Sequence, residues 1–521
     1  MKLKTTAILA VCGVLLSAAG AFAIPVGRTS PSPPTPDPQA KSLGGGDEGG
    51  GWDRTSGSRI TAGDTLLMDA RLGHASLPRA SKGETYLFAQ VAAAEDKASF
   101  LVTPMNLAVV IDRSGSMKGE RIANAMNAAV FALERMRDGD SITVVSFDTA
   151  AQVVVPPTRV SSSNRSSIEA AIRNIRLGGD TCISCGLSEG MQQLALTSLG
   201  GDRIDRMILL SDGATNAGVR DVSGLRAMAN RMHGRGVTIS TIGVDVDFDE
   251  KIMAAIANEA NGRHYFVANA SGLPAVFGQE FDDLLASVAK ETELSIELAP
   301  GVEVAEVFDR SFRREGNKLV VPFGTFSAKQ EKTVLVKLRV PADREGEQPV
   351  ADLKLAFRDL VKKAEGSCNG TLATVVKSDG SEQRELDPFV AARLERSRTA
   401  QTLTEANKLF ESGRGAEARA KLAARKKDLE RTESAALAFA AAAPTTAPRR
   451  SARALDRDFA DQAAAVAEAE QNFAPAPPAV ARGSSPAPIA GGFAAAPPAE
   501  ATREGKAQVR ANQEKASSFG F

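Results

Sequence analysis

The chain has 521 residues, of which 43% are hydrophobic, so it is too long for one typical domain and apolar enough for a sizeable core. Lysine plus arginine and aspartate plus glutamate number 63 each, which gives a formal net charge of zero. The chain therefore lacks the excess of basic residues that is typical of nucleic-acid binding. Its single tryptophan and two tyrosines also argue against stacking on bases. We therefore expect two or three folded units and no nucleic-acid partner.

The first 23 residues have the pattern of an export signal. Lys2 and Lys4 precede an apolar stretch over 7–16, and small residues lead to Ala23. This pattern predicts a secretory signal peptide over 1–23, cleaved after Ala23. No later stretch of the sequence is long and apolar enough to predict a transmembrane segment. We expect an exported protein that is periplasmic, secreted or associated with the cell surface.

Short strands flank the middle of the chain on both sides. Residues 24–58 are rich in proline and then in glycine, which predicts a disordered tether. Residues 59–102 contain β-like runs at 66–68 and 86–89, too few for a domain of their own. Strands return over 291–380, with turns between them, as in an antiparallel β-sandwich. We expect the strands of 59–102 to complete that sandwich, with the region between them inserted into it.

Residues 103–290 alternate apolar strands with amphipathic helices, the pattern of a doubly wound, mostly parallel α/β sheet covered on both faces. The predicted strands are 107–111, 141–147, 207–210, 238–244 and 264–267. A helix predicted over 272–289 leads directly into the sandwich, and we hypothesise that a bound ligand shifts it.

The C-terminal part is predicted to be helical and then mostly disordered. Residues 387–432 predict a helical hairpin around a turn at 412–415, similar to one tetratricopeptide-type repeat, which cannot bury its apolar face alone. Alanine and proline dominate 433–521, which predicts a mostly disordered tail. The exception is a short helix that carries Leu455, Phe459, Val466 and Phe473.

Oxygen-bearing side chains follow the first strand of the α/β region. Asp112, Ser114 and Ser116 occupy alternate positions of a tight loop, which can turn three oxygens towards a common point, as a hard divalent cation requires. Thr181 lies in a loop before a helix, and Asp212 follows the strand 207–210. The carboxyl edge of such a sheet gathers the strand-to-helix loops, so we expect all five residues to converge in a metal site. The alternative is that Asp112 caps the helix that begins near 119–121.

This pattern resembles the von Willebrand factor type A family, whose metal-ion-dependent adhesion site is Asp-x-Ser-x-Ser, then a loop threonine, then an aspartate after a later strand. Asp112, Ser114, Ser116, Thr181 and Asp212 match these positions in order. The resemblance covers roughly 65–376 and is closest to secreted bacterial members in which the A domain interrupts a β-sandwich. It implies a protein-binding, adhesion or scaffold module rather than an enzyme, in which a glutamate or aspartate of the protein partner takes one position on the metal.

The ligand set favours a small, hard cation. We expect the three hydroxyls to bind the metal directly, and the two aspartates to bind it directly or through water. Because few carboxylates reach the metal, it stays electrophilic and keeps waters, which favours Mg2+ over Ca2+, with Mn2+ as a further alternative.

A Cys-x-x-Cys pair offers a competing interpretation. Cys182 and Cys185 lie at the start of a predicted helix, where thiol–disulfide oxidoreductases carry such a pair, and a local disulfide is the simpler alternative. Because Cys182 follows Thr181, we also hypothesise that the oxidation state of the pair alters metal affinity. A third interpretation is a structural scaffold that needs no metal.

Overall fold

The structure, a computed structural model, describes residues 57–94, 103–197, 203–245, 248–378, 386–442, 449–473 and 502–519. The predicted signal peptide over 1–23 and nearly all of the tether predicted over 24–58 lie outside these residues.

Two antiparallel sheets form the predicted sandwich around one apolar core. One sheet has the order β1 (Arg59–Gly63), β2 (Leu66–Leu72), β4 (Glu84–Ala93), β15 (Glu331–Arg339) and β12 (Glu303–Phe308). The other has the order β13 (Arg313–Glu315), β14 (Lys318–Ser327), β11 (Ser287–Leu298), β16 (Gly346–Asp359), β17 (Ala364–Lys377) and β3 (Ser76–Pro78), where β3 alone runs parallel to its neighbour. Because β4 pairs with β15, strands from before and after the α/β region share one sheet, and the predicted insertion is confirmed.

The α/β region has a six-stranded sheet that is parallel except at one edge. Its order is β10 (Asn261–Val267), β9 (Thr238–Val244), β8 (Ile204–Ser211), β5 (Met105–Asp112), β6 (Ser141–Phe147) and β7 (Ala151–Arg159). Helices α1 (Glu120–Arg135), α2 (Arg165–Arg173) and α6 (Leu273–Leu285) bury their apolar sides against one face. Helices α3 (Ile183–Ala195), α4 (Val222–His233) and α5 (Glu250–Glu259) cover the other, so the predicted doubly wound fold is confirmed.

The sequence analysis missed the edge strand β7. This strand runs antiparallel to β6 and has only one buried residue, Val155. It also contains Pro156 and Pro157, which cannot donate hydrogen bonds and are tolerated at a sheet edge. The apolar run that marks the buried parallel strands is therefore absent from β7.

Helix α6 joins the α/β region to the sandwich almost without a linker. It ends at Leu285, and β11 begins at Ser287, so the helix is shorter than the predicted 272–289. The apolar residues Val288 and Ala289, which look like a continuation of the helix, belong to the strand instead. The carbonyl of Ala286 accepts a hydrogen bond from the backbone N–H of Ala328, at 2.7 Å. A displacement of α6 would thus act directly on β11.

Four helices pack together after the sandwich. They are α7 (Pro388–Glu411), α8 (Gly415–Ala442), α9 (Arg449–Asn472) and α10 (Arg503–Phe519). The hairpin of α7 and α8 buries its apolar face against α9 and α10, so this face is not left exposed as it would be in a lone repeat. The chain after residue 433 thus contains more helix than the mostly disordered tail that we expected, because the apolar residues of α9 and α10 have a partner surface. No helix in the described part of the chain is long and apolar enough to cross a membrane.

We expect Phe459→Ala to destabilise the helical unit by about 3–5 kcal/mol, because this buried phenylalanine leaves a cavity that the packed helices cannot fill. Chemical denaturation followed by circular dichroism measures the change. Phe312→Ala is the matched control, since that ring is 43% exposed and its loss should alter the free energy of unfolding by less than about 0.5 kcal/mol. Equal stability of the two variants would contradict the packing of α9.

Candidate functional site

Asp112 is the last residue of the central strand β5, and its side chain is fully buried. Its Oδ1 accepts a hydrogen bond from the backbone N–H of Ser114 at 2.8 Å, and its Oδ2 accepts one from the hydroxyl of Ser211 at 2.5 Å. Burial raises the pKa of Asp112 to about 6, although these hydrogen bonds favour the charged form. The nearby carboxylate of Asp212 raises it further. The site therefore holds negative charge that is poorly solvated.

The hydroxyls lie between the two carboxylates. Ser114 Oγ is 3.0 Å from Ser116 Oγ, and Ser116 Oγ donates to Asp212 Oδ1 at 2.7 Å. A Cβ atom built on Gly213 would lie 3.3 Å from Ser116 Oγ and 3.5 Å from Thr181 Oγ1, so these two hydroxyls border the same space. The structure thus brings together all five residues that the sequence analysis selected.

Backbone hydrogen bonds hold the three loops in this arrangement. The N–H of Gly178 donates to the carbonyl of Arg113 at 2.7 Å, and the N–H of Gly115 donates to the carbonyl of Gly179 at 3.1 Å. The N–H of Thr181 donates to the side-chain oxygen of Asn216 at 2.7 Å, which joins the threonine loop to the segment after Asp212. The arrangement of the site therefore depends on loop-to-loop contacts at the carboxyl edge of the sheet.

The helix-cap interpretation of Asp112 does not hold. The N-cap residue of α1 is Gly119, and no side chain caps this helix. The single turn of 3-10 helix at Gly115–Met117 follows Ser114, whose side chain makes no capping hydrogen bond either. The oxygens of Asp112 and Ser114 serve the site rather than a helix end.

The sequence analysis did not select two charged residues that lie beside the site. Arg121, in the first turn of α1, donates to Asp212 Oδ2 at 2.7 Å and also pairs with Asp245. Burial lowers the pKa of Arg121, but the hydrogen bond and the charges of Asp212 and Asp245 outweigh it and the pKa is raised. Asp245 directly follows β9, so the rule that placed Asp212 at the carboxyl edge also applies to it. The sequence gives no comparable signal for Arg121, because its two partners are distant from it in the sequence.

The structure joins Cys182 and Cys185 in a disulfide, with 5.3 Å between their Cα atoms. Cys182 is 1% exposed and directly follows Thr181, and Cys185 is half-buried in the first turn of α3. The backbone N–H of Cys182 donates to the carbonyl of Asp148 at 2.8 Å. The disulfide therefore fixes the end of the loop that carries Thr181.

The donor atoms of the site fit a hard cation. They are three hydroxyl and two carboxylate groups, and the carboxylates are buried with incomplete charge compensation. Within the described ranges, no group of three or more histidine, cysteine, aspartate and glutamate side chains is arranged to hold a metal ion. A cation at this edge of the sheet therefore depends on the serine and threonine hydroxyls.

Comparison with known proteins finds a family match in the same region. The sequence profile of the von Willebrand factor type A domain matches residues 106–279. The uncharacterized protein YfbK of Escherichia coli is 30% identical over 209 residues, which is 40% of this chain and 36% of YfbK. The uncharacterized protein sll0103 of Synechocystis is 27% identical over 267 residues, which is 49% of this chain and 62% of that protein. The chain therefore spans less than two thirds of the length of either relative.

A solved structure extends the similarity in fold beyond that region. The structure of a von Willebrand factor type A protein from Catenulispora acidiphila superposes with a TM-score of 0.59, at 16% sequence identity. The superposition covers 74% of this chain and 90% of that protein, so it includes more than the α/β sheet. At this identity the similarity describes the fold alone.

We expect Gly213→Ala to weaken the binding of Mg2+, because the added methyl group crowds the hydroxyl of Ser116. Gly115→Ala is the matched control, since a Cβ there has no heavy atom within 4 Å among the described residues. Isothermal titration calorimetry of both variants measures the dissociation constants. The expectation is wrong if the two variants bind Mg2+ equally well.

Proposed function

We propose, from the match of residues 106–279 to the von Willebrand factor type A domain, that the chain is an adhesion or scaffold protein that uses a bound divalent cation to recognise an acidic group of a protein partner. Domains of this family are protein-interaction modules. The observation that carries the proposal is the convergence of two buried carboxylates and three hydroxyls at the carboxyl edge of the sheet.

The proposed site uses Ser114, Ser116 and Thr181 as direct ligands. Asp112 and Asp212 bind the cation directly or through water, and their hydrogen bonds with serine hydroxyls and backbone orient them for this. Mg2+ is the first choice because the ligand set is small and hard and leaves room for waters, and Ca2+ and Mn2+ are the alternatives. The bound cation supplies an electrophile that attracts a carboxylate from outside.

Recognition is favoured over catalysis by the state of the two carboxylates. A general base must be able to reach a proton of the substrate. Asp112 is fully buried and already accepts hydrogen bonds from Ser114 and Ser211, while Asp212 accepts them from Ser116 and Arg121. Both groups are thus engaged in holding the site, and we propose a binding protein rather than an enzyme.

The surface around the site suits a protein partner. Ser116 is exposed, and large apolar side chains in neighbouring loops are exposed as well, with Leu177 at 41% and Val219 at 36%. Leu177 precedes the glycine loop that is bonded to Arg113, and the N–H of Val219 donates to the hydroxyl of Ser184 at 3.0 Å in α3. Apolar groups beside a polar anchor are typical of protein interfaces.

Export of the chain is part of the proposal. The pattern of residues 1–23 is that of a signal peptide, and the Cys182–Cys185 disulfide persists most readily in an oxidising compartment. We therefore propose that the protein is periplasmic, associated with the cell surface or secreted.

The disulfide does not favour redox catalysis over binding. Reactive cysteines lie in partly exposed positions, whereas Cys182 is 1% exposed. We propose that the pair supports the loop of Thr181. The metal-independent scaffold remains the competing function, and the following experiment separates the two.

We expect Mg2+-dependent capture of a protein partner from the exported fraction by the full chain, and its loss with a chelator or with Asp112→Ala. Removing this ligand should weaken Mg2+ binding by more than about tenfold, as measured by calorimetry. Asp343→Ala is the matched control, since this aspartate lies in the sandwich with a side chain that is 74% exposed. Partners that bind equally with chelator and with Asp112→Ala would establish the metal-independent scaffold instead.

A further inference from the structure

The last helix of the chain is held between the helical unit and the α/β domain. On one side α10 contributes Val509, Ala516 and Phe519 to the apolar core that it shares with α7, α8 and α9. On the other side Arg510 pairs with Glu250 at 2.5 Å, and its guanidinium lies 5.2 Å from the centre of the Phe248 ring. Helix α10 therefore connects a segment far outside the type A domain to the carboxyl edge of its sheet.

Arg503, the first residue of α10, extends this contact towards the candidate metal site. Its Nη2 lies 3.2 Å from Asp245 Oδ1 and donates to the carbonyl of Ala268 at 3.4 Å. The other carboxylate oxygen of Asp245 pairs with Arg121, which donates to Asp212. Opposite charges thus alternate from the last helix to a candidate metal ligand.

The two carboxylates in this chain of charges are buried, and Arg121 between them is 28% exposed. The side chain of Arg503 is 67% exposed, that of Asp245 is 8% exposed, and that of Asp212 is fully buried. Water screens charges least in buried positions, so the inner members of the chain feel one another most strongly. A change in charge at Asp212 is therefore felt at Arg121 and Asp245, and Arg503 responds to it at the surface.

The balance of charge in this group changes sign when a divalent cation is added. Three carboxylates, of Asp112, Asp212 and Asp245, face the two guanidinium groups of Arg121 and Arg503, which leaves one net negative charge. A divalent cation turns this into one net positive charge. The adjacent pair Arg113–Asp148 is neutral and does not alter the balance. Apart from Arg503, the group carries two net negative charges, which a divalent cation neutralises, so Arg503 is attracted more weakly when the cation is bound.

We infer that Arg503 sets the affinity of the candidate cation site, so that cation binding and docking of the first turn of α10 oppose each other. The inference rests on the proposed function, because it takes the cation to bind at Asp112 and Asp212. Linkage makes the effect reciprocal: whatever factor the docked helix imposes on cation affinity, the cation imposes on docking. The first turn of α10 is then held less tightly when the site is loaded.

Arg503→Gln in the full-length chain tests the first half of the inference. We expect its dissociation constant for Mn2+, measured by isothermal titration calorimetry, to fall roughly two- to fivefold, the size expected of an exposed ion pair. Arg503→Lys keeps the charge and should keep the wild-type value. Lys515→Gln removes the same charge from α10 at its pair with Glu468, away from the site, and should leave the constant unchanged.

Hydrogen exchange tests the reciprocal half. Addition of Mn2+ should speed the exchange of amides in 503–510 in the wild-type chain and not in Asp112→Ala. In an Arg121→Gln background, Arg503→Gln should have a smaller effect on Mn2+ affinity, because the connection to Asp212 has been removed.

The outcomes separate this inference from the function on which it rests. A wild-type chain that binds no Mn2+ overturns both. If the wild type binds Mn2+ and Asp112→Ala does not, the proposed site stands. In that case an unchanged or weakened affinity of Arg503→Gln overturns the role of Arg503 alone.

Discussion

The antiparallel pairing of β4 with β15 is the interaction on which the architecture depends. It runs from Glu84 opposite Arg339 to Ala92 opposite Glu331, and it joins segments separated by the whole α/β domain. Because both ends of that domain return to one sandwich, its entry and exit are fixed close together. The single residue Ala286 between α6 and β11 then leaves the domain little freedom to turn. A long insertion of this kind is tolerated because the entropy cost of closing a loop grows only slowly with its length.

The same topology explains why the site lies where it does. Strand β5 is central in its sheet and buried along its whole length. Asp112, its last residue, follows the apolar run and is therefore buried as well. Burying a carboxylate is unfavourable unless hydrogen bonds and opposite charge offset the lost hydration. Ser114 and Ser211 supply hydrogen bonds to Asp112, and of the two carboxylates of the site only Asp212 pairs with Arg121. The edge of the sheet is therefore left with excess negative charge.

Sequence patterns predicted the buried elements and the convergence of the five site residues well, and the contacts between distant segments poorly. The strands 141–147 and 238–244 were predicted with their observed bounds, because continuous apolar runs mark strands that are buried on both faces. The edge strand β7 and the helix α10 were missed, since each owes its stability to a partner surface elsewhere in the chain. The five site residues follow a fixed order and spacing, whereas the pairs of Arg121 and Arg503 with Asp245 have no spacing to recognise.

The charge of the site depends on residues outside the five-residue motif as well as on the motif itself. Asp112 and Asp212 carry two negative charges, so by themselves they would neutralise a divalent cation and leave little attraction for a third carboxylate. The surroundings change this, because Arg121, Asp245 and Arg503 together add one positive charge. In the proposed function the loaded site therefore carries one net positive charge, which a single carboxylate of the partner neutralises. In the proposed function, residues outside the motif thus favour an acidic partner, and the last helix contributes one of them.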